Sequence, residues 1–416
     1  MYKFLLLLII SPLAGQSLDS LMQEAKRNNP RLLSWQGQIR ASEYRERAAA
    51  TLPAPTLGLE FSQVPFDSYD LWNNSLSTNL SFGQMFHLGG KLSAMRRVEQ
   101  INTSALEYGF GDERQMILSD LAMSYYRLWL LDRKIELQKN TIDLLRLAES
   151  DYQNRLLTGT TAQADLYMLQ AERAAAETQQ LSLQQERDLQ LLQLNTLLGR
   201  DKLDAPVQPP RELAMQGIST EPDIAAAPML QQMQSMIRMN QAMALAGRKE
   251  KYPDLMLQGM VMRMPRGMVL TTSSEMTMPM KKIDYMYGVM ASVTLPFLPW
   301  SKNRYKTKVS EYDAMTEALT HKQTAMRQEI GRQIATAKTK RATSAQLYNR
   351  YKEVVLPQMH KAVQSQLTAL QSGSRSMSSF LQTLKMSLME EMNMYMAMAD
   401  YHMAEAELQR WQADVR

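Results

Sequence analysis

Cysteine is absent from the chain. That excludes disulfides, and it also removes the acceptor for N-terminal lipid attachment, so any membrane anchorage must be integral. Long apolar runs are missing too. After residue 20 none approaches the length of a membrane-spanning helix, so a bilayer role would have to come from β-strands. Histidine is scarce: the four residues His87, His321, His360 and His402 are scattered without zinc spacing and are expected at surfaces or interfaces. The formal net charge of +5 is spread along the chain with no basic tail, which argues against a nucleic-acid partner. No phosphate-binding loop, Ser/His/Asp set, nucleophile elbow or glycine-rich dinucleotide turn is present. The expectation is a non-enzyme without a cofactor.

The one strongly apolar stretch lies at the start. Lys3, the apolar residues 4–10 and the small-residue exit Leu13-Ala14-Gly15-Gln16 read as a secretory signal over residues 1–16, and hence as export to the periplasm. Beyond it, helix is expected over residues 17–50, 92–157 and 162–198, and in a matching set from 225 onward. Residues 92–157 would extend about 100 Å at ~1.5 Å per residue. Residues 301–370 are of similar length, with Pro357 expected to bend that helix or end a section of it. Such lengths suit extended, coiled-coil-like rods.

Two short regions have period two instead. Leu57, Leu59 and Phe61 alternate with Thr56, Gly58, Glu60 and Ser62. Leu76, Leu80 and Phe82 alternate with Ser75, Ser77, Asn79 and Ser81. Two strands cannot hide their edges, whereas closure into an oligomeric barrel would, with apolar side chains toward lipid and polar ones toward a lumen.

The same order recurs about 200 residues later. Pro55-Thr56-Leu57-Gly58-Leu59 corresponds to Pro253-Asp254-Leu255-Met256-Leu257, and Leu157-Thr158-Gly159-Thr160 to Gln371-Ser372-Gly373-Ser374. The expected organisation is a first repeat over 17–200 with a hairpin at 55–83, a linker at 201–224, and a second repeat over 225–416 with a hairpin at 253–296.

In this order and spacing the chain resembles the TolC-type outer-membrane efflux protein family over nearly its whole mature length. The resemblance is carried by Leu21, Ala25, Asn28-Asn29-Pro30, Ala41, Ala48 and Leu52-Pro53, by Phe86-His87-Leu88-Gly89-Gly90-Lys91, by Tyr152 to Gly159 with Leu166, Leu169, Gln170 and Ala171, and by Leu356-Pro357 and Gly373. It implies a mainly α protein with membrane β: a homotrimer whose protomers each give four strands to one 12-strand barrel, continued by a periplasmic α-helical barrel. It implies an outer-membrane location, a periplasmic adaptor and an inner-membrane pump as partners, and passive export. Family members carry an acidic pair after the second tip turn; here the matching positions are Ser379 and Gln382, while the first copy has Asp165. The tip and gate set implied by the resemblance is therefore Gly159, Asp165, Gly373, Ser379 and Gln382.

Methionine is the only candidate chemistry: 34 residues, 27 of them from Met215 onward. Thioethers are soft ligands suited to Cu(I) and, by the same softness, Ag(I). In the second hairpin Met256, Met260, Met262, Met264, Met286 and Met290 fall on the same parity as Gln258, Gly288 and Ser292, opposite Leu255, Leu257 and Val261. They are the expected lumen-facing metal set, and they point to a heavy-metal-efflux, CusC-like branch of the family. Met276, Met278 and Met280 form a further cluster between the strands. The helical stripes Met229, Met233, Met236, Met243 and Met389, Met392, Met396, Met403 read as core or seam, because Met fills irregular gaps. Met398 and His402, four apart, form a two-ligand fragment that a partner helix would have to complete. The rival reading is a soluble periplasmic coiled-coil scaffold or adaptor, which gives no reason for two-faced strands.

Overall fold

The computed structural model describes residues 17–67, 69–157, 162–215, 223–264, 269–271, 277–279, 284–372 and 374–411. The expected signal at 1–16 and the turn glycines Gly159 and Gly373 lie outside the described residues, as do Met276 and Met280. The chain divides into two compact units, each drawing on both halves of the sequence. One comprises Met1–Gly37, Tyr108–Gln231 and Ala325–Arg416, the other Gln38–Glu107 and Gln232–Thr324.

The first unit is helical. Helix α1 (Leu18–Asn28) starts at Ser17, whose hydroxyl accepts from the Ser20 N–H. One helix was expected over 17–50, but the chain breaks at Asn29. Pro30 opens α2 (Pro30–Ala49), where its missing N–H costs nothing, and Asn29 turns its side chain onto Leu197 O at 2.7 Å and the Arg31 N–H at 2.9 Å. After β1 (Thr56–Ser62), a short α3 (Leu71–Asn74) and β2 (Ser77–His87), the 67-residue helix α4 (Lys91–Leu157) enters this unit and α5 (Gln163–Leu198) returns. Leu21, Leu121, Leu128, Leu194 and Leu198 pack together between them with Val207 of the linker. Each fully buried leucine contributes about 1.5–3 kcal/mol. The linker is held down by Asn195 Nδ2, which donates to Leu203 O at 2.7 Å and Ala205 O at 2.8 Å.

In the second half a 3-10 turn (Ile224–Ala226) and α6 (Pro228–Lys249) precede the second pair of long strands, and α7 (Pro299–Arg350) follows them. At Pro357 the helix neither ends nor merely bends. A π turn (Tyr351–Val355) leads into α8 (Leu356–Gln371), and the Leu356 N–H reaches back to Tyr351 O. Proline removes one helical hydrogen bond and its ring crowds the carbonyl four residues earlier, and the wider turn accommodates both. Helix α9 (Met377–Gln409) completes the bundle. Ala227, Leu230, Ile330, Ile334, Leu408 and Trp411 form a second core there.

The second unit holds the sheet: β1 (Thr56–Ser62), β2 (Ser77–His87), β3 (Asp254–Met264) and β6 (Asp284–Val293), antiparallel throughout in the order β1-β2-β3-β6. A small ribbon of β4 (Val269–Thr271) and β5 (Thr277–Pro279) lies in the β3–β6 connection. Strand β2 runs past the expected end at Gly83 to His87. Phe86 returns to the apolar parity of Leu80 and Phe82 after Gln84 interrupts it, and the turn comes only at Gly89 and Gly90, with φ of 70° and 76°. A side chain at Gly89 would fall on the Tyr252 ring, so glycine is required there for space as well as for φ. Helical parts of this unit pair through Ser42 Oγ and Thr103 Oγ1 at 2.9 Å, and through Asn240 Nδ2 donating to Tyr312 O at 2.6 Å.

Candidate functional site

Residues directly opposite in an antiparallel ladder share a face, so the register decides which side chains meet. Thr56, Gly58, Glu60 and Ser62 face Gly83, Ser81, Asn79 and Ser77. Gly83, Ser81 and Asn79 in turn face Gln258, Met260 and Met262. Gln258, Met260 and Met262 face Met290, Gly288 and Met286. One face therefore carries small and polar side chains on β1 and β2 and thioethers on β3 and β6. All six expected methionines lie on it. Met262 stands opposite Met286, Met256 opposite Ser292, and Met264 at the strand end opposite Asp284.

The register also adds a methionine that sequence parity within the second hairpin missed. Met85 of β2 is directly opposite Met256. Three glycines and small residues make room for these side chains. A Cβ at Gly83 would lie 3.1 Å from the Met256 methyl, one at Gly288 would lie 3.1 Å from Met260 Cγ, and one at Gly58 would lie 2.8 Å from Ser81 Oγ.

The opposite face is mostly apolar and bare, interrupted by Thr78, Gln84 and Arg263. Leu57, Phe82, Leu257, Val261, Tyr287 and Val289 are all exposed, Leu57 at 75% and Tyr287 at 88%. A contiguous exposed apolar face of this kind marks a lipid or protein contact. Among the described residues no helix is long and apolar enough to cross a membrane. Both outer strands, β1 and β6, are edges of this sheet. At the end where strands give way to helix, Lys91 Nζ bridges both carboxylate oxygens of Asp254, and His87 Nδ1 lies 3.0 Å from Oδ1.

In the helical unit the two hairpin ends come together. Tyr152 and Leu145 of α4, Leu166 and Leu169 of α5, and Met377, Phe380 and Leu381 of α9 form one core. Asp165 is the acidic residue of the first turn of α5, where the helix dipole favours it. Its charge and burial together push the Tyr152 hydroxyl above its ordinary range, burial being the larger cause. Ser379, in the first turn of α9, takes the Ser376 hydroxyl on its N–H and donates its own Oγ to Gln366 Oε1 at 3.4 Å. Gln382, one turn on, is exposed. Lys385 of α9 pairs with Glu172 of α5 at 2.7 Å, a link between the hairpins that sequence spacing did not suggest.

Not every helical methionine behaves as core. Met233 is buried, but Met386, Met389 and Met396 stand exposed on α9. His402, expected at a surface or interface, is instead buried and stacked on Tyr126, with ring centroids 4.8 Å apart.

Comparison with known proteins agrees with this architecture. A family model described as outer membrane efflux protein matches residues 21–200. No curated protein sequence matches the chain. Among solved structures, the transmembrane channel CusC superposes with a TM-score of 0.77 at 15% identity, covering 96% of this chain and 92% of CusC. The Campylobacter jejuni outer membrane channel CmeC gives 0.78 at 12% identity, with 97% and 88% covered. The outer membrane protein VceC of Vibrio cholerae gives 0.76 at 16%, with 95% and 96% covered. Identities this low speak to the fold, and the fold is that of TolC-type channels, as the resemblance in the sequence implied.

Proposed function

From residues 21–200, which belong to the outer membrane efflux protein family, and from the channel fold of the whole chain, we propose that this protein is the outer-membrane duct of a tripartite efflux system. It lies in the outer membrane and reaches into the periplasm. The sheet carries the argument: one face is bare and mostly apolar, the other polar, and both edges are open. Three copies close those edges into one 12-strand barrel, which places the apolar face against lipid and the other around a lumen. Each chain then consists of two repeats, 17–200 and 225–416, joined by the linker at 201–224, with the hairpin ends around Asp165, Ser379 and Gln382 forming the periplasmic tip where an adaptor docks. A pump in the inner membrane supplies the energy. No step of the transport breaks a bond, and the chain acts as a conduit.

The cargo follows from the thioethers. Met85, Met256, Met260, Met262, Met264, Met286 and Met290 share the face assigned to the lumen, so threefold symmetry repeats each as a ring. Soft ligands in rings suit the passage of monovalent copper or silver rather than hard cations. The likeness to CusC is compatible with this and does not carry it.

The test is direct. Purified protein in detergent is expected to run as a trimer by native mass spectrometry and to open conducting pores in planar bilayers. A monomer without conductance would overturn the duct. Isothermal titration with Cu(I) under anaerobic reducing conditions is expected to show binding that is lost when Met256, Met260, Met262, Met264, Met286 and Met290 are changed to Leu. Equal binding by both would leave the duct standing and remove the metal cargo.

A further inference from the structure

Helix α9, in the helical unit, carries a second arrangement of soft ligands. Met394, Met398 and His402 follow one another at intervals of four residues. Each interval turns the helix by about 400° and advances it by ~6 Å, so the three side chains form one ladder along a face. Neighbours on such a ladder have Cβ atoms about 5–6 Å apart, within the span of two ligands on one ion.

The ladder faces inward. Met398 is 4% exposed and His402 is 7% exposed. Met394 and Met398 line a cavity of about 550 Å³ beside Trp129 and Tyr395, so the ladder has room next to it. His402 is held in place by rings: Tyr126 of α4 stacks on it, and Tyr401 meets it edge-on at 5.2 Å. Neither contact uses the ring nitrogens. Nε2 is buried and has no hydrogen-bond partner among the described residues. A buried polar nitrogen left so costs free energy, and a fold that only needed an aromatic ring here would be served by Phe.

We propose that Met398 and His402, with Met394 one turn before them, form a binding site for a monovalent soft cation, Cu(I) or Ag(I), inside the helical unit. A thioether and a neutral imidazole are a soft and a borderline ligand, and together they favour such an ion over Mg²⁺ or Ca²⁺. Burial pushes the His402 imidazole down to about 4, so the ring is neutral at periplasmic pH and its lone pair is available to a metal. Glu391 lines the same cavity and brings a carboxylate to offset the charge, while Arg133 and Arg211 are both engaged with Glu136. Three ligands spread over two turns make two adjacent two-ligand positions, Met394–Met398 and Met398–His402, between which an ion can step. The proposal shares the soft-metal reading of the duct, but its geometry is independent of the sheet.

The experiment titrates the full-length protein in detergent with Ag(I), supplied as the nitrate in chloride-free buffer. The compared proteins are the wild type, Met398→Leu, His402→Phe, and the variant with six sheet methionines changed to Leu. Circular dichroism and thermal melts check that each is folded, and Met398→Leu conserves volume should His402→Phe fail to fold. The expected result is two separable binding events: one that Met398→Leu and His402→Phe each weaken about tenfold or more and the sheet variant keeps, and one that only the sheet variant loses. X-ray absorption of the Cu(I)-loaded protein is expected to show nitrogen and sulfur scatterers in the wild type and sulfur alone in His402→Phe. Unchanged binding in both α9 variants, a spectrum without nitrogen, or loss of all binding in the sheet variant would overturn the site. Loss confined to the α9 variants, with nothing lost in the sheet variant, would keep this site and remove the lumen rings instead.

Discussion

Lys91 Nζ lies 2.9 Å and 3.0 Å from the two carboxylate oxygens of Asp254, joining the first residue of α4 to the first residue of β3. The lysine is 8% exposed, and Nδ1 of His87, the last residue of β2, lies 3.0 Å from Oδ1 of the same carboxylate. Strand ends and helix start are thus tied at one point by residues 163 positions apart. Lys91→Met leaves Asp254 without its main partner. The expected loss is about 2 kcal/mol, below the ~3–5 of a fully buried pair because the carboxylate keeps some water. Thermal denaturation in detergent checks it, and the double variant with Asp254→Asn should lose less than the two singles together.

Gly199 ends α5 with φ of 72°, and a Cβ there would stand 2.5 Å from Asn28 O. Gly199→Ala therefore meets both a backbone penalty of about 1–2 kcal/mol and a collision with backbone that cannot swing aside. The expected outcome is a clear fall in melting temperature, greater than for Gly37→Ala, whose Cβ has nothing within 4 Å and lies within α2.

On the sheet, replacing the six methionines by Leu should change cargo more than fold. The swap nearly conserves volume, with a cost of less than about 1.5 kcal/mol per site. Single-channel conductance in potassium chloride should persist while soft-metal binding falls. Gly288→Val should act the other way, because its side chain would displace Met260 and disturb the ladder itself.

His402 makes stability depend on pH. Its folded value, about 4, lies below the ordinary 6.5, so the unfolded chain binds the proton more readily between those values. Stability contributed by keeping the ring neutral is complete above about pH 6.5 and is lost as pH falls through the window to 4. The full effect is about 3 kcal/mol. His402→Phe should flatten that part of the stability profile, measured by melts from pH 7 to pH 4.

The faces of the strands were legible in advance because alternation is a local property. Leu57-Gly58-Leu59 and Met260-Val261-Met262 declare two unlike sides whatever lies beside them. The length of α4 was legible for the same reason, since a stretch almost free of Gly and Pro has little to stop a helix. The break at Asn29 was missed because Pro30 is tolerated in a first turn as well as before a strand, and the choice depended on Asn29 reaching Leu197. The π turn before Pro357 was missed because a proline's clash can be relieved by bending, ending or widening, and the residues do not say which.

By itself the sequence determined where the long helices and the four long strands run and which side of each strand is mostly apolar, because helix and strand periods arise from neighbours a few residues apart. Only the tertiary structure decided that β2 pairs with β3, setting Met85 against Met256, and that His402 sits beneath Tyr126 rather than at a surface. Register and burial are settled by backbone hydrogen bonds and side-chain packing between segments far apart in the chain. No local period encodes those.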